Sequence, residues 1–223
     1  PDQAMIRIEE ALSLARELSE PYGLALAFFF SAILHQLRRE VQLAQERAEA
    51  ALAVAVEHGL ALYHAMTKIV LGWALNEQGH REGIDQMRQG IEGHRARQTQ
   101  VLLPHFLALL AEGLGKSGEV EKGLRVSKEA LAVVHRNGEA YYQAELCRIR
   151  GELSPAGQGE QWFKQAIKIA QQQKARSWEL RAAMSLAHVR PEEARALLRQ
   201  VYDSFNEGFD TRDLKEAREI LDK

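Results

Sequence analysis

Small residues recur along this 223-residue chain at one interval, and that periodicity constrains the fold more than any single motif. A small residue followed by an aliphatic one stands at Ala11-Leu12, Ala51-Leu52, Gly90-Ile91, Ala130-Leu131 and Ala166-Ile167, at intervals of 40, 39, 40 and 36. Ala32, Gly72, Ala111, Gly151 and Ala187 repeat with the same intervals. A third series, Ala4, Ala44, Gly83, Gly123 and Gly159, runs seven residues ahead of the first. A small side chain lets two helix backbones approach closely, so the three series predict a stack in which each repeat packs one helix tightly on the next.

The local signals agree. Alternating β-branched runs are missing, and Ala, Leu, Glu, Gln and Arg, all good helix formers, dominate. Apolar residues recur at helical spacing, as in Ile84, Met87 and Ile91, or Leu124, Leu131 and Val134. Breakers at Pro21, His58-Gly59, Gly79, Pro104, Ser117-Gly118, Asn137-Gly138, Ser154-Pro155 and Pro191 divide the chain. They predict helices over 2–18, 22–38, 40–57, 60–78, 81–97, 101–116, 119–136, 140–152, 158–173, 176–188, 191–206 and 211–222.

A helix pair with one small residue on its first helix (A) and two on its second (B) resembles the tetratricopeptide (TPR) family, lengthened from about 34 to about 40 residues. Gly72, Gly83 and Gly90 match the family's small positions in one repeat, and Ala111, Gly123 and Ala130 match them in the next. The family's Trp, Tyr and Pro positions are mostly not kept, so the repeats are TPR-like. The resemblance implies an all-α, right-handed superhelix (an α-solenoid) of about five helix pairs in a single domain over residues 1–223. A capping helix from Thr211 would close it, with Asp210 and Asp213 capping its start. The last repeat is irregular, because the helix after Ala187 loses the small-residue register.

Longer strings carry a second resemblance. Arg95-Ala96, Pro104 to Glu112 (PHFLALLAE), Gly123-Leu124, Ala144-Glu145-Leu146 with Arg148, Gly151-Glu152-Leu153, Ser177 to Ala183 (SWELRAA), and the ending from Val201-Tyr202 through Phe205 to Thr211, with Asp213-Leu214 and Glu216-Ala217, belong to it. They are similar to the C-terminal TPR-like region of large bacterial multidomain signalling proteins. There the region follows an AAA-like or STAND-type ATPase module, often with a class III adenylate/guanylate cyclase domain at the N-terminus, or with a DNA-binding regulator domain instead. Gln98 departs from that group, which has Gly at the same turn. The chain starts at Pro1 inside a helix, which marks it as a piece of something longer. The resemblance implies a cytoplasmic, non-catalytic protein-interaction or regulatory repeat, in a full-length protein with ATPase or nucleotide cyclase activity. Its partner would be a protein or peptide, including another domain of the same chain. A small-molecule sensor that binds an inducer and regulates the attached domains is the alternative.

Composition and motifs narrow the chemistry. A net charge of −2 argues against a nucleic-acid surface, which needs a basic stripe. A helical repeat that reads RNA would also need a repeated pair of base-reading side chains, and none recurs. The longest apolar run, residues 23–34, falls short of the about 20 residues that span a bilayer, so no membrane role is expected. The single cysteine, Cys147, allows no internal disulfide, fits a reducing compartment and reads as a small buried hydrophobe. Gly115-Lys116-Ser117 has the end of a phosphate-binding loop, but Leu110 stands where the motif needs Gly. The triplet reads as a helix C-terminus. Residues 151–159 (GELSPAGQG) lack the Lys-Ser/Thr pair and read as a turn. The eight histidines form no metal-binding spacing, and no nucleophile set or carboxylate pair stands out. No cofactor, metal or catalytic residue is expected.

In TPR-like stacks the A helices line the inner, concave face. Positions one turn either side of the small residue are then Leu26, Phe29 and Ile33; Met66, Ile69, Trp73 and Asn76; His105, Ala108 and Glu112; Glu145, Arg148 and Glu152; and Arg181, Met184 and His188. Two readings follow. In one, this face binds a partner, with Trp73 and Met66 as exposed apolar anchors and Glu145, Arg148, Glu152 and Arg181 setting specificity. In the other, the apolar half is core and the charged half is an internal salt-bridge lattice.

Overall fold

The computed structural model describes residues 2–222, which form twelve α-helices and no strand. The helices gather into two compact units, one up to Val101 and one from Leu102. The first holds α1 (Asp2–Leu18), α2 (Pro21–Leu37), α3 (Val41–Glu57), α4 (Ala61–Glu77) and α5 (Glu82–Arg95). The second holds α6 (Leu103–Lys116), α7 (Val120–Asn137), α8 (Gln143–Leu153), α9 (Glu160–Gln173), α10 (Arg176–Val189), α11 (Pro191–Tyr202) and α12 (Arg212–Leu221).

Within the first unit each helix packs on the next, and the A helices α2 and α4 also touch. Within the second, the A helices α6, α8 and α10 touch in series, and α12 lies on both α10 and α11. Few helices carry side-chain caps. At α2 the Glu20 carboxylate accepts the backbone N–H groups of Tyr22 (3.0 Å) and Gly23, ahead of Pro21 in the first turn. Elsewhere burial of an apolar face does the work.

The small-residue series are the points where A and B helices cross. A Cβ on Gly72 would stand 2.5 Å from the Gly83 carbonyl oxygen and 2.8 Å from the Met87 nitrogen. One on Gly90 would meet Ile69 Cγ1 at 2.5 Å and the Ala65 carbonyl at 2.7 Å. In the second unit a Cβ on Gly123 would be 2.8 Å from the Ala111 carbonyl, and one on Gly159 would be 2.5 Å from that of Gly151. Members of the A series and the B series therefore face each other pair by pair.

The turns repeat too. Ser19, Gly59, Gln98, Gly138 and Lys174 follow successive B helices, all with left-handed φ between 51° and 76°, at intervals of 40, 39, 40 and 36. A left-handed residue ends a helix and frees the chain to reverse, at a steric cost for any residue with a Cβ. Gln98 thus occupies a position that glycine fills one repeat before and one repeat after it.

Two boundaries differ by three or more residues from those read in the sequence. The helix expected from residue 140 begins at Gln143, and the residues before it are engaged elsewhere: the Ala140 carbonyl accepts Gln173 Nε2 at 2.7 Å, and the Glu139 carboxylate accepts the Leu102 N–H at 2.8 Å. The helix expected to run to 206 stops at Tyr202, where the Ser204 hydroxyl donates to the Val201 carbonyl at 2.6 Å and Phe209 folds back onto Tyr202. Thr211, at the start of α12, makes no side-chain cap bond, and the Asp213 carboxylate reaches across to Arg181.

Thermal melts test the register. Gly90→Leu and Gly123→Leu overpack a crossing and should each cost about 1–3 kcal/mol or more, lowering the Tm or causing aggregation. Gln98→Gly should act in the opposite direction, raising stability by about 0.5–1 kcal/mol as the left-handed strain goes and unfolded-chain entropy takes back part of the gain. Unchanged melting of both leucine variants would show that the crossings are assigned wrongly.

Candidate functional site

The apolar residues expected on the inner face lie in the core. Phe29 and Ile69 are fully buried, and Ile33 and Met66 are nearly so. Trp73 is 3% exposed, so it is not an exposed anchor, and neither is Met66. The reason is local: α2 and α4 lie against each other and on the intervening B helix, which encloses residues one turn from Ala32 and Gly72. Leu26 and Asn76 are half-buried at the edge of this core.

In the second unit Ala108 and Met184 are also core, but the charged residues come together as a ladder. Arg148 on α8 makes a two-pronged contact with Glu145, each arm 2.9 Å, and reaches Glu152 at 3.4 Å and Glu112 of α6 at 3.7 Å. Arg181 on α10 donates to the same Glu145 at 3.2 Å and to Asp213 of α12 at 2.6 Å. The Ser185 hydroxyl donates to Glu152 at 2.6 Å. One run of charges therefore links four helices, and Glu145 and Arg181 within it are buried. Burial pushes the Glu145 carboxyl up, but the two guanidinium groups outweigh it and hold it at about 2. Arg148 and Arg181 feel the reverse balance: burial lowers them and the carboxylates more than restore them.

An aromatic stack runs beside the ladder. His105 of α6 lies face to face with Tyr142, ring centres 4.0 Å apart, and shares a 2.8 Å hydrogen bond with the Tyr141 hydroxyl. Tyr142 meets Trp178 edge-on at 5.0 Å, and the Arg181 guanidinium covers Trp178 at 5.0 Å. His105 is fully buried, which lowers its pKa to about 3 despite the nearby Glu145. His188 is exposed and bonds its own helix at the Met184 carbonyl.

Sequence reasoning missed Tyr142, Trp178, Ser185 and Asp213. A signal existed for two of them: His105, Tyr142 and Trp178 stand near the starts of successive A helices, about one repeat apart. Asp213 had no such signal, since its place near a helix start reads as a cap.

Beside this region lies a groove of about 320 Å³ formed by α6, α7 and α8. Val120, Ile149 and Leu153 supply its apolar wall, and Glu112, Glu152 and Lys116 its charges. Half of the Glu152 side chain is exposed even with Ser185 and Arg148 upon it, and Glu112 is tied to Lys116 at 3.3 Å. Gly115-Lys116-Ser117 closes α6, with the Ser117 N–H on the Gly113 carbonyl, as a helix C-terminus does. Residues 154–159 form the turn between α8 and α9. Cys147 is buried, which raises its thiol pKa to about 11. Among the described residues no three His, Cys, Asp or Glu side chains converge as a metal site, and no helix is long and apolar enough to cross a membrane.

No protein-family model matches this chain. An uncharacterized protein of Rhizobium meliloti (strain 1021) is 28% identical over 141 residues, which take in 59% of this chain and 13% of that much longer protein. A solved structure of kinesin light chain nearly identical TPR-like repeats from Podosopora anserina is similar over 90% of this chain and 96% of its own, with 17% identity and a TM-score of 0.50. The fold is all-α and TPR-like.

The buried histidine sets a pH dependence. A base whose folded pKa is depressed takes up its proton only on unfolding, so stability is full above the ordinary value of 6.5 and falls as pH drops toward 3. Glu145 acts with the same sign, lower down, between about 4.5 and about 2. Denaturant unfolding at pH 7 and pH 5 should show His105→Phe, which keeps the stacking ring, losing about 2 kcal/mol of the pH dependence of the parent chain. An identical slope in both proteins would mean that folding leaves the proton affinity of His105 unchanged.

Proposed function

We propose that this chain is a non-catalytic interaction module and that the groove of α6, α7 and α8 is its working surface. One observation carries the reading. The groove sets an apolar wall beside the Glu152 carboxylate, which stays half-exposed although Arg148 and Ser185 also reach it. An apolar anchor beside a charged rim suits a protein or peptide segment. The segment that fits carries a Leu- or Ile-like side chain for Val120, Ile149 and Leu153, and a Lys or Arg for Glu152. Arg148, Glu145 and Arg181 then act behind the surface, holding α8 against its neighbours, and Glu112 at its edge. The module works in the cytoplasm, within a larger bacterial signalling protein of the ATPase- or cyclase-linked kind. The long relative, of which the matched stretch is 13%, supports a setting in a large polypeptide.

A small-molecule sensor is the second reading, favoured by the volume of the groove, which is at the lower end of the about 300–1,000 Å³ usual for ligand pockets.

Arrays of 15-residue peptides separate the two. Peptides combining Leu or Ile with Lys or Arg should retain the chain, and charge-reversed peptides should not. Val120→Lys, at an exposed position, should weaken retention at least tenfold with the Tm within a few degrees, and Glu152→Gln, which keeps an acceptor for Ser185 and Arg148, should weaken retention of the basic peptides. Titration with millimolar MgATP should give no saturable heat. Retention insensitive to the two substitutions, or nucleotide turnover by the chain itself, overturns the proposal.

A further inference from the structure

Arg150 lies on the side of α8 away from the charge ladder, since the two residues from Arg148 to Arg150 turn the helix through about 200°. On that side α7 and α9 each pack on α8 without packing on each other. The Arg150 guanidinium spans the gap between them. Its Nη1 donates to the Ser127 hydroxyl of α7 at 3.2 Å, and its central carbon lies 4.6 Å from the centre of the Trp162 ring of α9. The Ser127 hydroxyl donates in turn to the Leu124 carbonyl at 2.9 Å, and the Arg150 Nε is buried with no acceptor.

No carboxylate answers this cation among the described residues. Arg38, Arg47, Arg88, Arg148 and Arg181 are also buried or half-buried, and each of them reaches a carboxylate. A guanidinium does not shed its proton, so half-burial costs it solvation that a hydroxyl and a ring face return only in part. Lys128, the residue after Ser127, is exposed and likewise forms no ion pair among the described residues. It stands one turn from both Leu124 and Leu131 along α7, and Leu131 packs on the same apolar cluster as Trp162. The gap thus brings together two cations and a half-buried indole, and the chain gives neither cation a counter-charge.

We propose that the gap between α7 and α9 binds a carboxylate of an acidic protein segment. Arg150, already set in place by Ser127 and Trp162, donates to the carboxylate and loses little freedom in doing so. Lys128 adds a second positive charge at the rim, and an apolar neighbour of the acidic residue lies on the open part of Trp162. Phosphate recognition draws on clusters of arginine or on converging backbone N–H groups. One fixed arginine with one lysine suits the single charge of a carboxylate. This site takes the opposite charge from the groove of α6, α7 and α8 and stands independently of it.

The test uses arrays of short peptides on the 223-residue chain. Peptides with Asp or Glu beside Leu or Phe should retain it, and the same peptides with Asn or Gln in those places should retain it at least tenfold less. Arg150→Gln should weaken retention of the acidic peptides at least tenfold. Because Arg150 also props the Trp162 ring, Lys128→Glu at an exposed position is the second variant. It should weaken the same retention about threefold or more, with the Tm within a few degrees. Three results overturn the proposal: no retention of acidic peptides, equal retention by the parent chain and both variants, or phosphoserine peptides held at least tenfold tighter than their Glu counterparts, which assigns the site to phosphate.

Discussion

The contact on which the rest depends is backbone against backbone, at the crossing of an A helix with its B helix. Where Gly72 meets Gly83, or Gly123 meets Ala111, there is no room for a larger side chain, and the helices come closer than ordinary side-chain packing allows. That proximity fixes the position of each helix along the other to within a turn. Side chains one turn away are then set against the neighbouring A helix in a definite register.

In the first unit the register produces an apolar core, with Phe29, Ile69 and Trp73 enclosed. In the second it produces the ladder from Glu112 to Asp213. Burying Glu145 and Arg181 costs solvation, and their mutual attraction offsets it only because each has two partners. Such an arrangement adds little net stability, but removing one member leaves a buried charge unpaired, at about 3–5 kcal/mol. The ladder therefore selects one arrangement of α8, α10 and α12 over slipped alternatives, in which these charges would be stranded. The ring stack of His105, Tyr142 and Trp178 seals one side of it from water, which is why His105 stays neutral.

Glu145, Arg148 and Arg181 look like a site when read one by one, but their donors and acceptors are already matched. Toward solvent in this region lies the groove beside them, with Glu152 at its edge.

Much of this was legible in the sequence. The interval of about 40 residues, the small residues at each crossing and most helix ends follow from local rules: a glycine or alanine every repeat, and breakers between apolar runs. The charged lattice was legible as one of two readings, because Glu145 and Arg148 are one turn apart and Arg181 falls one repeat on. Exposure was not. Trp73 and Met66 have the same helical spacing whether they face water or another helix, and only the lie of α2 against α4 decides between them. Asp213 shows the limit most plainly. Three residues from Asp210 near a helix start, it has the pattern of a cap, and nothing local shows that its carboxylate also meets Arg181, 32 residues away, because α12 lies on α10. Periodicity along a chain determines which side of a helix is apolar and where backbones must touch. Which charge meets which, and which apolar face stays open, is set by neighbours distant in sequence, and so by the tertiary structure alone.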